Sequence, residues 1–509
     1  MFTAGRSLGR RNQPESARAR NQFNLQLLHE KLRFRPRDRV DLKLTDNGRE
    51  LVGEIQLGKP AKKQQKITAI LFDHTLLFVY SKRKGKNQYI KAYRRPMTLQ
   101  LLVILEVGKV IPSWTITQLS SILCWPSGIR ETKTEEGLPI MLRCLGKAGY
   151  DLTLYATNLA ARDRWLGLIE KAQRRLRARA DFFTTAILSS NIFEGMWRIN
   201  SLTPYDGGRV YLLGTNSGVY LVDYINGGQI PKRVLAVANV AQVGILKEYR
   251  LLLVLSDATL TSYPLLALGS DEWTSTVTPK VIHNQCNFFK TGSFLGRQML
   301  CCVRNSAIST TIEVFEFDKG YFPFRVSSVK FLRTKLCLSC DNGFETLSLE
   351  TFELQSLLDQ ADPSLDFLPQ KKKIMPIHIE SLDEDFLLNY SEFSFFIDRN
   401  GWRMQPEWLI DWEGVPQSFG ISRPWILAFE PNFIEFRNIE NKVVHYLANK
   451  NIRMLHSSPN EMIFAHQGRE GEDSVTVINL YGYNRLREML SYIPICGVPV
   501  MSSGTLESL

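Results

Sequence analysis

Histidine and cysteine are the residues of this sequence that could bind a metal or act as nucleophiles. The seven histidines are scattered, and none has the close spacing of a metal-ligand motif. One Cys-x-x-Cys motif occurs, at Cys337 and Cys340, and Cys301 and Cys302 are adjacent. Cys337 and Cys340 lie in a predicted strand, where an offset of three places side chains on opposite faces. Because no second Cys-x-x-Cys completes a zinc site, the sequence favours buried thiols and predicts no metal and no cofactor.

The motifs of common enzyme classes are absent from the sequence. It has no Walker loop, no Gly-x-Ser-x-Gly nucleophile elbow, and no Gly-x-Gly-x-x-Gly after a predicted strand. The acidic cluster at 383–385 indicates a solvated edge, and the lysines at 371–373 indicate a linker. An enzyme is therefore the least favoured class, although a hydrolase whose carboxylates converge only in three dimensions stays open.

Two clusters of basic residues are typical of a site that binds anions. The first cluster holds Lys59, Lys62, Lys63 and Lys66, and the second holds Lys82, Arg83, Lys84 and Lys86. Both are predicted at hairpin turns that can emerge at the same end of one β-structure. Each cation near an acidic membrane contributes about 1 kcal/mol to binding. The clusters therefore predict a site for an inositol phosphate headgroup or an anionic bilayer, with simple solvated loops as the alternative.

The charge along the chain is divided between two segments of opposite sign. Residues 1–180 hold 35 Lys and Arg against 15 Asp and Glu, whereas residues 181–509 hold 28 against 36. The net charges are therefore +20 and −8. The first segment requires an acidic partner, either nucleic acid or an acidic membrane. Its basic clusters lack interleaved aromatic residues that would stack on bases, so the membrane is favoured and a nucleic-acid-binding protein is the alternative.

Several features of the sequence indicate a cytoplasmic protein. No apolar run approaches the roughly 18–20 residues that cross a bilayer, and the Arg-rich N-terminus has no secretory signal. Eight cysteines without such a signal indicate reduced thiols. The predicted location is therefore the cytoplasm, peripherally at the inner face of the plasma membrane.

The first segment has the pattern of a small β-domain closed by one helix. Residues 1–22 are predicted as a disordered basic lead, and 23–34 as a short amphipathic helix. Its predicted apolar residues are Phe23, Leu27, Leu28 and Leu32. Strands are predicted at 51–57, 67–72, 75–80 and 89–93. The residues Leu159, Trp165, Ile169, Ala172 and Leu176 then share one face of a helix that Thr157 or Asn158 caps. This order predicts an α+β barrel or sandwich, in which the helix plugs one end and Trp165 is its structural anchor.

The second segment repeats one short unit seven times. Pairs of strand-like runs flank turns near residues 216, 256, 305, 341, 391, 430 and 469. The spacing is close to the roughly 40–45 residues of a propeller blade, and helical periodicity is almost absent. The pattern predicts a seven-bladed β-propeller without Trp-Asp repeats. Either 192–198 or the stretch after Val475 is predicted to supply the strand that closes the ring.

Particular phrases in both segments resemble known families. The phrases at 49–55 and 71–78, the latter reading LFDHTLLF, resemble a pleckstrin-homology domain when taken with the Trp165 helix. That resemblance implies a seven-stranded β-sandwich with a capping helix, and it places Lys62, Lys63, Lys66, Lys82 and Lys84 at the headgroup site. The phrases at 218–223, 246–260 and 390–401 resemble the citron-homology domain, which implies a seven-bladed propeller that binds proteins, often small GTPases.

The order of the two domains resembles the C-terminal half of fungal Rho-type guanine-nucleotide exchange factors of the Rom type. Citron-like and myotonic-dystrophy-type kinases share the pair, and the C-terminal region of such a kinase is an alternative. In the exchange factors, an upstream helical Dbl-homology domain performs exchange. The lead before Val40 is too short for that domain, so we expect this chain not to exchange nucleotide unaided.

The sequence therefore predicts a mainly β, non-catalytic regulatory region. The predicted segments are a basic lead and short helix at 1–35, a pleckstrin-homology domain at 36–180, a citron-homology propeller at 181–500, and a tail at 501–509. The predicted partners are acidic membrane lipid for the first domain, and a Rho-family GTPase or another signalling protein for the propeller. Nucleic acid is not expected.

Overall fold

A computed structural model describes most of the chain in two compact units. One unit ends at Ala180 and the other begins at Asp181. The described residues are 13–59, 62–84, 87–105, 138–193, 198–223, 231–265, 278–315, 319–370, 374–382, 385–459, 461–468 and 471–481. The predicted tail at 501–509 lies outside them, as do residues 1–12.

The first unit is a β-sandwich with two helices. Its helices are α1 (Gln13–Lys31) and α2 (Leu159–Ala178), and its strands are β1 (Leu32–Arg33), β2 (Leu51–Lys59), β3 (Lys62–Phe72), β4 (Thr75–Lys84), β5 (Asn87–Ala92), β6 (Met97–Thr98), β7 (Leu102–Leu105), β8 (Leu138–Cys144) and β9 (Asp151–Ala156). One layer has the order β5-β4-β3-β2 and the other β9-β8-β7, and the two meet where Gly58 pairs with Tyr155. These seven strands form the predicted seven-stranded sandwich, so the fold prediction for this segment is confirmed.

Helix α2 closes the sandwich, as predicted. The Asn158 side chain accepts a hydrogen bond of 2.8 Å from the Ala161 N–H and caps the first turn. Trp165 has 2% of its surface exposed and packs with Ile169 and Ala172 into the core between the layers. Apolar residues at this spacing share one helix face, so the helix binds the sandwich along a single stripe.

Helix α1 differs from the prediction in both length and orientation. It begins at Gln13, so residues 13–22 belong to a helix rather than to a disordered lead. Phe23 is 65% exposed, and the buried stripe is Leu25, Leu28 and Leu32, which packs on the outer face of β3, β4 and β5. The prediction was wrong here because Phe23 and Leu25 are both apolar, and only the sheet decides which of them is covered.

The turn between β3 and β4 is held by the buried carboxylate of Asp73. It accepts hydrogen bonds from the Glu50 N–H at 3.2 Å and from Arg49 Nη1 at 3.3 Å, and Arg179 Nη1 lies 3.5 Å away. Burial raises the pKa of Asp73. The hydrogen bonds from His74 and Glu50 and the charges of His74 and Arg49 lower that pKa by a larger amount, so that it is about 2. The aspartate of the LFDHTLLF phrase is thus a structural residue that ties this turn to β2 and to the end of α2.

The second unit contains seven four-stranded antiparallel sheets. In the order of their hydrogen bonding, the first three sheets are β11 (Ile199–Tyr205), β12 (Val210–Thr215), β13 (Gly218–Asp223), β14 (Lys232–Leu235); β15 (Val240–Leu246), β16 (Leu251–Ser256), β17 (Thr259–Pro264), β18 (Lys280–His283); and β19 (Phe288–Phe294), β20 (Arg297–Asn305), β21 (Thr310–Val314), β22 (Lys319–Phe322). The next three sheets are β23 (Val326–Phe331), β24 (Lys335–Cys340), β25 (Gly343–Ser348), β26 (Leu354–Ser356); β27 (Pro376–Leu382), β28 (Asp385–Tyr390), β29 (Phe393–Ile397), β30 (Ile410–Asp411); and β31 (Ser418–Ser422), β32 (Trp425–Phe429), β33 (Phe433–Asn438), β34 (Val444–Ala448). The seventh sheet is β35 (Lys450–Ser457), β36 (Glu461–Gln467), β37 (Asp473–Leu480), β10 (Phe183–Phe193).

The seven sheets are arranged as the blades of a propeller. The first strand of each sheet contacts the first strand of the next, and β35 contacts β11, so the first strands form a closed ring. Every predicted hairpin is the second and third strand of a blade. The prediction of a seven-bladed propeller is therefore confirmed.

The strand that closes the ring differs from both predicted alternatives. The last blade takes its fourth strand from β10, whose Ala186 pairs with Val477 of β37. The range 192–198 overlaps β10 only at its end. After Val475, the described residues up to Leu480 belong to the third strand. The propeller therefore closes by joining its first strand in sequence to its last.

Adjacent blades interlock where a glycine of one first strand faces a phenylalanine of the next. A Cβ atom at Gly244 would lie 2.6 Å from the Phe289 ring, and one at Gly292 would overlap the ring of Phe331. Glycine is required at both positions because real Cβ atoms do not approach so closely.

No helix among the described residues is long and apolar enough to cross a membrane.

Candidate functional site

The two basic clusters lie at the same edge of the first sheet. The β2–β3 hairpin ends at the pair Lys59–Lys62, and the β4–β5 hairpin ends at the pair Lys84–Asn87. Because β3 and β4 are adjacent and antiparallel, both hairpin ends point away from the β3–β4 turn. The backbone topology therefore places both hairpin ends at the same end of the sheet.

The clusters lie in strands rather than in the loops that were predicted. Strand β3 begins at Lys62 and β4 continues to Lys84, which leaves only residues 60–61 and 85–86 between the paired strands. The predicted strands were too short because they ended at the first charged residues. A ladder is formed by backbone groups, so a run of lysines does not interrupt it.

The side chains of the clusters are described for only two members. Lys66 is exposed, and Lys59 is half-buried with its Nζ 4.1 Å from the centre of the Tyr93 ring, a cation–π contact. For Lys62, Lys63, Lys82, Arg83 and Lys84 the backbone alone is described, and Lys86 lies outside the described residues. Lys59 and Lys62 are directly opposite, and like charges in that position destabilise a hairpin unless an anion compensates them.

A further group of cations, missed by sequence analysis, lines a cleft in the same unit. The cleft is open to solvent, has a volume of about 650 Å³, and is lined by Arg35, Arg37, Lys91 and Arg94 together with Pro36 and Asp38. We call it the arginine cleft. These cations are separated in sequence and come together because β1 pairs in parallel with β5, with Arg33 opposite Lys91. The Arg-rich stretch 33–39 was the available signal, but nothing in the sequence connected it with Lys91 or Arg94.

The first strands of the propeller carry a polar cluster, but their sequences contain only one carboxylate. Glu380 Oε2 accepts hydrogen bonds from Lys330 Nζ at 2.6 Å and from His378 Nε2 at 3.0 Å. Burial raises the pKa of Glu380, and the hydrogen bonds from His378 and Lys330 lower it below its ordinary value. Glu380 is therefore an ionised carboxylate paired with Lys330, and it is the only carboxylate that the sequence places on the seven first strands.

The two cysteines of the Cys-x-x-Cys motif are buried structural residues. Cys337 and Cys340 lie on opposite faces of their sheet and pack into two different clusters, as their offset predicted. Burial raises the pKa of Cys337 to about 12 and that of Cys340 to about 11. These thiols therefore stay protonated at neutral pH, which removes their nucleophilic form.

Two exposed apolar residues mark one face of the propeller. Tyr249 is 47% exposed in the β15–β16 turn, and Leu295 is 59% exposed in the β19–β20 turn. Both turns join first and second strands of adjacent blades, so they lie on the same face. Glu248 of the first turn and Gln298 at the start of β20 exchange two hydrogen bonds of 3.1 Å. Leu295 has φ 49°, a left-handed conformation that is strained for a leucine. We call Tyr249 and Leu295 the turn patch.

Comparison with solved structures connects the propeller to a known domain. The structure described as the AfRom2 CNH domain is 48% identical to this chain, with a TM-score of 0.57, and the match covers 59% of this chain and all of that one. The CNH domain family model matches residues 207–458. The chain belongs to the CNH domain family. A pleckstrin homology domain model matches residues 51–173, ahead of the CNH propeller.

Relatives of this CNH chain include fungal exchange factors. It is 37% identical over 482 residues to Rho1 guanine nucleotide exchange factor 1 of Schizosaccharomyces pombe, with 87% of this chain and 36% of that protein covered. It is 29% identical over 516 residues to RHO1 GDP-GTP exchange protein 2 of Saccharomyces cerevisiae, with 92% and 38% covered. The chain thus spans well under half the length of these curated relatives. The resemblance to the pleckstrin-homology and CNH region of fungal Rho exchange factors is confirmed.

Proposed function

We propose that this chain is the non-catalytic targeting and regulatory region of a Rho-family guanine-nucleotide exchange factor. In this proposal the basic hairpin ends of the pleckstrin-homology domain dock on phosphoinositide in an acidic membrane. The CNH propeller binds a Rho-family GTPase or another signalling protein. The observation that carries the proposal is the position of both basic hairpin ends at one edge of the first sheet.

Reversing four hairpin charges should abolish membrane binding. We expect the variant with Lys62, Lys63, Lys82 and Lys84 each changed to Glu to bind phosphatidylinositol-bisphosphate vesicles about 100-fold or more weakly, because each lysine near the membrane contributes about 1 kcal/mol. Sedimentation with neutral, phosphatidylserine and bisphosphate vesicles at two salt concentrations measures this change.

The matched control reverses the same number of charges on the exposed face of α2, at Arg164, Lys171, Arg174 and Arg177. This control variant should bind as the unchanged protein does. Equal loss in both variants would mean that only the total charge matters. If the unchanged protein fails to bind bisphosphate vesicles at low salt, the membrane part of the proposal is wrong.

The turn patch is our candidate for the protein-binding surface of the propeller. We expect Tyr249→Ala combined with Leu295→Asn to weaken binding of a purified Rho-family GTPase at least about tenfold, since a few residues, often tyrosines, supply most of the energy of an interface. Asparagine tolerates the left-handed backbone at position 295, so the turn itself should persist. Biolayer interferometry with the GTPase in its GDP and GTP-analogue states measures the affinity.

The control for this experiment is Ile308→Asn, because Ile308 is 78% exposed in the β20–β21 loop on the opposite face. If the turn-patch variant and the unchanged protein bind the GTPase with equal affinity, the turn patch is not the protein-binding surface. The same preparations should not accelerate nucleotide release from the GTPase. Acceleration by this chain alone would overturn its assignment as non-catalytic.

A further inference from the structure

The arginine cleft contains more positive charge than the surrounding protein compensates. Four cations line it, at Arg35, Arg37, Lys91 and Arg94, and Asp38 is the only carboxylate among the lining residues. None of the four cations forms an ion pair with a residue in the described part of the chain. Elsewhere in the same unit an exposed arginine is paired: Arg143 binds Asp151 through two hydrogen bonds of 2.7 Å. Like charges held around one cleft repel one another, so an anion bound there is favoured.

The backbone holds the cleft residues in place. Pro36 opens a short 3-10 turn, Pro36–Asp38, which the Asp38 N–H closes with a 3.0 Å hydrogen bond to the Arg35 carbonyl. Arg35 therefore directly precedes this hydrogen-bonded turn, and Arg37 lies within it. Strand β1, which leads into it, is fixed beside β5 by the pairing of Leu32 with Ile90. Little conformational entropy remains to be lost from this backbone when a ligand binds.

Two aromatic rings position the guanidinium group of Arg94. Its Cζ lies 5.9 Å from the centre of the Tyr93 ring and 6.0 Å from that of Tyr150. The Tyr150 hydroxyl is anchored in turn by a hydrogen bond to the Arg95 carbonyl. Cation–π contacts at such distances hold a guanidinium while leaving its N–H groups available to a ligand.

We propose that the arginine cleft is a second anion site of this domain, which binds a ligand that carries several phosphate groups, such as an inositol polyphosphate. Three guanidinium groups provide planar pairs of donors that match phosphate oxygens, and Lys91 adds a point charge. A volume of about 650 Å³ is within the range of small-molecule pockets. The ligand can be a free inositol phosphate or the headgroup of a lipid, because the recognised phosphate chemistry is the same. The site shares no residue with the hairpin clusters and does not require them to bind lipid.

The test uses the full chain and three variants. The cleft variant changes Arg35, Arg37 and Arg94 to Gln, and the control variant changes the exposed helical residues Arg164, Arg174 and Arg177 to Gln. The third is the hairpin charge reversal described above. Calorimetric titration with soluble inositol trisphosphate measures the free anion, and sedimentation with phosphatidylinositol-bisphosphate vesicles measures the headgroup. Circular dichroism spectra show whether each variant is folded.

We expect the cleft variant to bind inositol trisphosphate at least about tenfold more weakly than the control variant does, because each of the three lost cations accounts for a roughly fivefold factor. If the cleft variant loses affinity for soluble inositol trisphosphate alone, the ligand is a free phosphate. If it loses affinity for both the soluble anion and the vesicles, the ligand is the lipid headgroup. The proposal is overturned if the cleft and control variants bind both probes equally, or if the unchanged protein binds neither at low salt. A loss confined to the hairpin variant also overturns it, while the proposed membrane docking stands.

Discussion

Replacing Trp165 by alanine should lower the free energy of unfolding of the first domain by about 3–5 kcal/mol. The indole is the largest side chain in the core between the two sheet layers, and α2 has no comparable anchor. Its removal leaves a cavity that the surrounding strands cannot fill without losing their own pairing. Helix α2 should consequently detach more readily than the strands unfold.

The effect of Trp165→Ala can be measured in the full chain by urea unfolding combined with hydrogen–deuterium exchange. Peptides from α2 and from β2 should exchange faster in the variant. Leu159→Ala is the matched control, because Leu159 lies on the same helix but is 56% exposed and should lose less than about 0.5 kcal/mol. If the two variants lose the same stability, Trp165 is not the anchor of this helix.

Replacing Glu435 by alanine should destabilise the propeller by about 3–5 kcal/mol, the usual result of removing one partner of a buried ion pair. Glu435 is fully buried in β33, where it accepts hydrogen bonds from Arg437 Nε at 2.6 Å and from the Glu413 N–H at 2.8 Å. Burial raises the pKa of Glu435, while the Arg437 charge and the hydrogen bonds lower it in part. In the alanine variant the Glu413 N–H and the Arg437 guanidinium, which is 24% exposed, both lose this acceptor.

Thermal unfolding of the Glu435→Ala protein measures this loss. Glu440→Ala is the control, since Glu440 is exposed five residues further along. Glu435→Gln should lose less than Glu435→Ala, because its amide oxygen still accepts from the Glu413 N–H. A midpoint for Glu435→Ala within experimental error of that for Glu440→Ala would contradict the role of this carboxylate.

The elements of this protein could largely be predicted from local sequence patterns. The seven hairpins were found because each joins two apolar runs through a short polar turn, and that pattern is complete within about 15 residues. Helix α2 was found because apolar residues around Trp165 recur at helical spacing. The closing strand β10 was not found, because its partner β37 lies almost 300 residues away and no local signal reports such a pairing.

The candidate sites likewise differ in how much of each could be predicted from the sequence. Lys62–Lys66 and Lys82–Lys84 are visible as runs, so their charge was recognised, although the extent of their strands was not. The arginine cleft combines residues from 35 to 94, and only the parallel pairing of β1 with β5 brings them together. The contacts of Gly244 with Phe289 and of Gly292 with Phe331 likewise join separate blades.

Sequence by itself determined the charge division, the blade number and the helix that closes the sandwich, because these depend on composition and on short-range periodicity. Tertiary structure alone decided which face of α1 is covered, which strand closes the propeller and which cations share a cleft. Each of these depends on the free energy of contacts between residues that are distant in the chain, and such contacts leave no periodic trace in one sequence.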